Sequence, residues 1–182
     1  MVLAVTPDGR IVGATLGNDV NLRDFEGRSA LLLGEAKDNN GSCAIGPAIR
    51  LFDGPFTLDA LMATDVELEV RGRDGFVTGG RNRLGRISRD PRALVRQALG
   101  ETHQYPDGLA LFLGTMFVPT ADRDAAGGGF THREGDLVTI ANPYLGVLRN
   151  EVGWCDDLPP WTIGIRAFHA NLSARAPRQT AR

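Results

Sequence analysis

The opening residues read as a hairpin, and that reading limits what the rest of the chain can become. Met1 to Val5 is an apolar run, Pro7-Asp8-Gly9-Arg10 is a turn, and Ile11 to Leu16 is the returning arm. Proline presets one turn dihedral and glycine takes the left-handed one. The same grammar recurs from Asp65 to Arg71, where Val66, Leu68 and Val70 alternate with Glu67, Glu69 and Arg71. That is the period of a half-buried strand. Asp74-Gly75 then turns the chain into a returning strand, Phe76 to Gly79. With 23 glycines against 2 Trp and 2 Tyr, many tight turns between short strands are favoured over a helical bundle.

Further strands are expected at Ala44 to Phe52, entering the core, at Leu109 to Leu113, at Leu137 to Ile140, and at Leu145 to Val152 as a last edge. Asp90-Pro91 begins the one convincing helix. Asp90 caps it, Pro91 fits its first position, Leu94, Val95, Ala98 and Leu99 share a face, and Gly100 stops it. Leu22 to Gly27 is expected to form a helical turn. Gly17-Asn18-Asp19 reads as a corner after the second strand. A strand that opens at the first residue, with nothing to cover its edge, points to a polypeptide that starts further upstream. Residues 1–172 are read as one domain and residues 173–182, poor in apolar side chains, as a disordered tail.

A net charge of −2 over 182 residues argues against nucleic acid or an anionic membrane as the main partner, because both select a concentrated basic field. The sequence has no run of about 18 apolar residues that would span a bilayer. Cys43 and Cys155 lie too far apart in sequence to suggest a disulfide framework or a zinc spacing. Reduced thiols and a cytoplasmic location are the expectation.

The richest stretch is Ile11 to Gly46, which sets Asp19 and the Arg23-Asp24 pair ahead of Lys37 and a Gly/Ser/Cys-rich loop. Asp19 is a candidate oxygen ligand, although aspartate is also an ordinary turn residue. Lys37 is a candidate substrate-facing ammonium, although lysine is by default a solvated surface group. Thr115, after Gly114 at a strand end, is either a backbone-bonded hydroxyl or a donor on a pocket rim. Glu67-Leu68-Glu69 has the form of a divalent metal pair, but the inward valines and leucine leave both glutamates facing solvent. His103, His132 and His169 have no metal-ligand spacing and read as surface or supporting residues. The chain has no G-x-S-x-G elbow and no P-loop.

Taken in order, GNDVNLRDFEG, EAKDNNGSCAIGP, LFLGTMFVPTADRD and GDLVTI resemble the C-terminal catalytic domain of the fumarylacetoacetate hydrolase family. The nearest branch is that of the 2-keto-3-deoxy sugar-acid dehydratases. The resemblance implies an α+β, β-rich fold, a mixed β-sheet roll with few short helices. It implies a magnesium ion, with manganese or calcium as substitutes, held by Asp19 and by a Glu-x-Glu pair. Arg23-Asp24 matches the Arg-Asp of the same motif. Lys37 is then the catalytic and substrate-facing lysine, with Arg23, Gly114 and Thr115 also at the substrate. The implied activity passes through a metal-stabilised enolate of a 2-oxo or diketo acid, in a C–C hydrolase or a dehydratase, and the implied assembly is a homodimer.

The resemblance also places the Glu-x-Glu pair just before the strand at Met1 to Val5, so the chain is expected to begin after two of three metal ligands. A non-catalytic remnant that keeps the fold and a dimer interface is the second expectation. A small β-rich binding domain that uses the Gly-rich loops is the third.

Overall fold

In a computed structural model, residues 1–115, 117, 119–127 and 129–175 are described, apart from the side chains of Arg23 and Asp24. The strands are β1 (Val2–Val5), β2 (Ile11–Asp19), β3 (Cys43–Leu51), β4 (Asp65–Arg71), β5 (Val77–Arg83), β6 (Leu109–Phe112), β7 (Leu137–Asn142) and β8 (Gly146–Glu151). The helices are α1 (Arg23–Glu26), α2 (Leu58–Met62), α3 (Pro91–Ala98) and α4 (Ile165–Arg175). This is the expected α+β, β-rich architecture with short helices.

The strands form two four-stranded sheets, in the orders β3-β2-β1-β6 and β5-β4-β7-β8, with antiparallel pairing throughout where a mixed sheet was expected. One core joins them. Leu3, Val5, Ala14 and Leu16 of the first sheet and Val66, Val70, Val138, Ile140 and Leu148 of the second share a cluster with Phe56, Leu58, Leu61, Leu84 and Val95. In β7 the pattern is strictly alternating, with Val138, Ile140 and Asn142 buried. The second sheet therefore turns one face inward and its charges outward.

Three local expectations are corrected. β1 is not an uncovered edge, because it lies between β2 and β6, with Leu3 opposite both Ala14 and Leu111. The hairpin turn itself is as expected, with Gly9 at φ 83°. Gly17-Asn18-Asp19 is not a corner. The strand runs extended through Asp19, which pairs with Cys43 across β3. Gly17 is there for space: a Cβ would lie 2.4 Å from Val2 Cγ2 and 2.5 Å from the Phe112 ring. β3, expected in the core, is an edge strand with Ile45, Ile49 and Leu51 exposed.

The helix at Asp90 forms as read, with its carboxylate accepting from Arg92 N at 2.7 Å and Pro91 buried. A second helix of comparable length, α4, was not foreseen, and residues 173–175 belong to it. Its Ile165, Phe168 and Leu172 are exposed, so neither a buried face nor an N-cap marks it in the sequence. Residues 176–182 of the expected tail lie outside the described residues.

Candidate functional site

The end of β2 and the loop before β3 are sewn together by backbone hydrogen bonds. Val20 N donates to Ser42 O and Leu22 N to Ala36 O. Ser42 Oγ donates to the carbonyls of Lys37 and Asn39 at 2.9 and 2.7 Å, and Ala36 is fully buried. The clamp brings Lys37 Nζ to 2.7 Å from Asp19 Oδ2. Both side chains are partly open, at 36% and 47% exposure, which leaves them accessible to a ligand. Cys43 stands opposite Asp19 in the strand register. Its burial and the negative charge of Asp19 push the thiol above its usual pKa, against the pull of Lys37.

Asp19 and Lys37 line a cavity of about 300 Å³ set between the two sheets. Gly17, Asn18, Asn21, Phe112, Gly114 and Thr115 add to the Asp19 side, and Val66, Leu68, Val70, Val138 and Ile140 supply an apolar wall from the other sheet. Phe117 packs over Gly80, where a Cβ would sit 2.2 Å from its ring. An apolar cleft with a few convergent polar groups is the usual form of a small-molecule site.

Thr115 is in the lining, and its hydroxyl is engaged with the backbone. It donates to Phe117 O at 2.9 Å and accepts from Phe117 N at 3.1 Å. Gly114 sits at φ 74°, a conformation that favours glycine. Arg23 and Asp24 lie in α1, but their side chains are outside the described residues. Glu67 and Glu69 point outward as read, paired with Arg81 at 2.6 Å and Arg71 at 3.0 Å.

The donors in the lining are hard. Among the described residues Asp19 is the one carboxylate there, joined by the side-chain oxygens of Asn18, Asn21, Asn82 and Thr115. Asn21 Nδ2 donates to Glu26, while Asn21 Oδ1 is buried without a partner. Among the described residues no three His, Cys, Asp or Glu side chains gather as a metal-holding group. In kind, these oxygens suit magnesium or calcium. In number, they leave most positions to substrate oxygens and water, an arrangement magnesium commonly takes.

His132, read from sequence as a surface or supporting residue, is the one that sequence reasoning did not bring to the cavity. It lines the same cavity, with Nδ1 buried and unpaired and 3.8 Å from Asp136 Oδ2. Phe130 holds the ring edge-on, with centroids 4.8 Å apart. Burial pushes the imidazole below its ordinary pKa. Asp136 opposes this, and Arg123 adds to the lowering. The support beneath it is a fully buried pair: Arg123 donates to both Asp136 oxygens, at 2.5 and 2.8 Å, with both side chains 1% exposed. Arg123 and Asp136 lie inside the sequence motifs ADRD and GDLVTI, but the spacing between those motifs gave no sign that they meet.

Comparison with known proteins finds sugar-acid dehydratases among its matches. The chain matches no family model. It is 31% identical over 147 residues to a probable 2-keto-3-deoxyxylonate dehydratase of Haloferax volcanii, which covers 79% of this chain and 46% of that one. A solved 2-keto-3-deoxy-D-arabinonate dehydratase, complexed with magnesium and 2,5-dioxopentanoate, superposes with TM-score 0.66 at 26% identity, over 82% of this chain and 50% of the other. A fumarylacetoacetate hydrolase of Exiguobacterium antarcticum shares the fold, with TM-score 0.52 at 22% identity over 84% of this chain and 52% of that one. The chain spans about half the length of the curated relatives it matches. No helix among the described residues is long and apolar enough to cross a membrane.

Proposed function

We propose that the chain is a member of the fumarylacetoacetate hydrolase family, as its likeness to sugar-acid dehydratases and to a fumarylacetoacetate hydrolase fold supports, and that it is the substrate-binding and catalytic part of a magnesium-dependent enzyme acting on a 2-oxo acid. Dehydration of a 2-keto-3-deoxy sugar acid is the reaction favoured over C–C hydrolysis. The observation that supports this reading most directly is the 2.7 Å contact between Lys37 and Asp19 in the lining of the cavity between the sheets.

Each residue has a chemical task. Lys37 offers a positive charge and three donors, of which Asp19 uses one, so the ammonium is positioned and still has donors for a substrate carboxylate or 2-oxo oxygen. Asp19 Oδ1 has no partner among the described residues and is the atom offered to the metal, with Asn21 Oδ1 the neutral oxygen on the same wall. A magnesium ion, when bound, supplies the charge that offsets the negative oxygen of an enolate. Thr115, already tied to Phe117, presents a hydroxyl oxygen of fixed position beside Gly114. The apolar wall of Val66, Leu68, Val70, Val138 and Ile140 excludes water and strengthens the charge contacts. A dehydration balances on Lys37 alone: the ammonium gives a proton to the departing C4 hydroxyl, which leaves as water, and the neutral amine so formed takes the C3 proton.

Calorimetry with magnesium and oxalate, an enolate mimic, tests this on the full chain. Wild type is expected to bind oxalate only when magnesium is present, and Asp19→Asn to lose that dependence with the fold intact. Lys37→Ala is expected to keep the metal dependence and weaken oxalate roughly tenfold or more, as loss of a charged hydrogen bond would. Magnesium-dependent binding that survives Asp19→Asn refutes the ligand role. A second reading, a binding domain without turnover, draws support from there being one carboxylate in the described lining. Oxalate heat that is indifferent to magnesium would favour it. The proposal includes a cytoplasmic homodimer, with exposed Ile45, Ile49 and Leu51 on the edge strand β3 as its contact surface.

A further inference from the structure

The polar groups of the cavity fall on two opposed walls. Asp19 and Lys37 lie on the side of the β3-β2-β1-β6 sheet, whereas His132 lies just ahead of β7 in the other sheet. Its segment is fixed rigidly. Arg123 donates to Thr131 O at 3.3 Å as well as to Asp136, and Arg133 N donates to Asp136 Oδ2 at 2.9 Å. The Arg123 guanidinium in turn stacks over Phe76, 4.8 Å from its centroid.

The ring has two distinct edges. Nδ1 is buried and lies 3.8 Å from Asp136 Oδ2, beyond hydrogen-bond reach, and the negative charge on that side favours the tautomer with its proton on Nδ1. Nε2 is not among the buried unpaired atoms, and no hydrogen bond to it is made by the described residues. The side chain is 20% exposed and lines the cavity, and Nε2 is the ring nitrogen left open. A neutral imidazole with its proton on Nδ1 leaves Nε2 as a pure acceptor.

We propose that His132 is a specificity-determining residue, whose Nε2 accepts a hydrogen bond from a hydroxyl at the far end of an acid held by its carboxylate at Lys37. This rests on the reading of the cavity as a 2-oxo acid site. An acceptor at that wall selects a hydroxylated tail over an alkyl one, because an alkyl tail would cover Nε2 and take it from water without giving it a partner. Burial, by keeping the ring uncharged, favours the same role. The Asp136–Arg123 pair acts through His132 as a positioning element.

The test is a titration of the full chain, in magnesium, with 2-oxopentanoate and with 5-hydroxy-2-oxopentanoate, which differ by one hydroxyl and have no C4 hydroxyl to eliminate. Wild type should favour the hydroxylated acid by about tenfold or more. His132→Phe should erase that preference, weakening the hydroxylated acid and removing the penalty on 2-oxopentanoate. His132→Gln, which keeps an acceptor oxygen, should retain part of the preference and guards against a phenylalanine variant that fails to fold. Equal loss for both acids would mean a structural role, and a preference that persists in His132→Phe would remove the residue from recognition; either outcome overturns the proposal. Equal binding of the two acids by wild type sinks the His132 role while leaving the 2-oxo acid site standing. Binding of neither sinks both.

Discussion

Replacing Asp136 by asparagine strikes the most deeply buried charge pair described in the fold. The side chain keeps its shape but surrenders its charge, and the Arg123 guanidinium, 1% exposed, loses two short charge-assisted bonds. Breaking a buried pair from one side costs about 3–5 kcal/mol. The lower end applies here, because Asp74 still accepts from Arg123 at 3.1 Å and the asparagine oxygen can accept one bond. About 3 kcal/mol in a domain of this size lowers the melting temperature by roughly 6 to 12 °C. Thermal melts by circular dichroism read this directly. Glu69→Gln is the matched control, since its pair with Arg71 is exposed and is worth at most about 1 kcal/mol.

The pH dependence has a definite sign. Burial alone would raise the Asp136 pKa, but Arg123, the Arg133 N–H and the nearby positive charges outweigh it and hold the carboxyl below its usual value. A depressed native pKa contributes stability above the unfolded value, near 4, that is lost as pH falls through the native one. Wild type should therefore lose its advantage over Asp136→Asn on acidification below about pH 4. A melting difference within about 2 °C at pH 7, less than about 1 kcal/mol, would refute the reasoning.

Two further outcomes follow from packing and exposure. Glu67→Gln combined with Glu69→Gln should leave magnesium-dependent oxalate binding unchanged, because both side chains sit on the solvent face with arginine partners; loss of metal dependence in calorimetry would show that face to be a ligand site. Gly17→Ala should cost about 1–3 kcal/mol by overpacking, read as a fall in melting temperature, since the new methyl meets Val2 and Phe112. It should also weaken oxalate binding, because the strand it displaces ends at Asp19. An unchanged melt would mean that the Val2 and Phe112 side chains yield freely.

The strands carried their own evidence. Val66, Leu68 and Val70 opposite Glu67 and Glu69 specify which face of β4 is inward, because strand side chains alternate and charge stays in water. Asp90-Pro91 specifies where α3 starts, because a cap and a preset dihedral are local properties. Position in the sheet is not local. β1 looked like an edge and is covered on both sides, while β3 looked like core and lies at the edge. Strand order depends on which hairpins meet, and the residues of one strand do not record their neighbours. Gly17 misled for a related reason: glycine serves a turn and a close approach equally well, and the approach of Val2 and Phe112 exists only in the folded sheet.

For the site, the sequence by itself determined the chemical inventory. Asp19, Lys37 and Thr115 stand in ordered motifs whose residue types suit a hard cation and an anionic substrate, and the resemblance those motifs carry selected them from many other polar residues. The tertiary structure alone decided which groups share a cavity. It closed the gap between Asp19 and Lys37 to a hydrogen bond through the Ser42 clamp, and it made His132, read from sequence as a surface or supporting residue, part of the opposite wall. The reason is physical. A side chain's chemistry is fixed by its covalent structure, whereas its partners are fixed by long-range pairing of strands, which no short window of sequence contains.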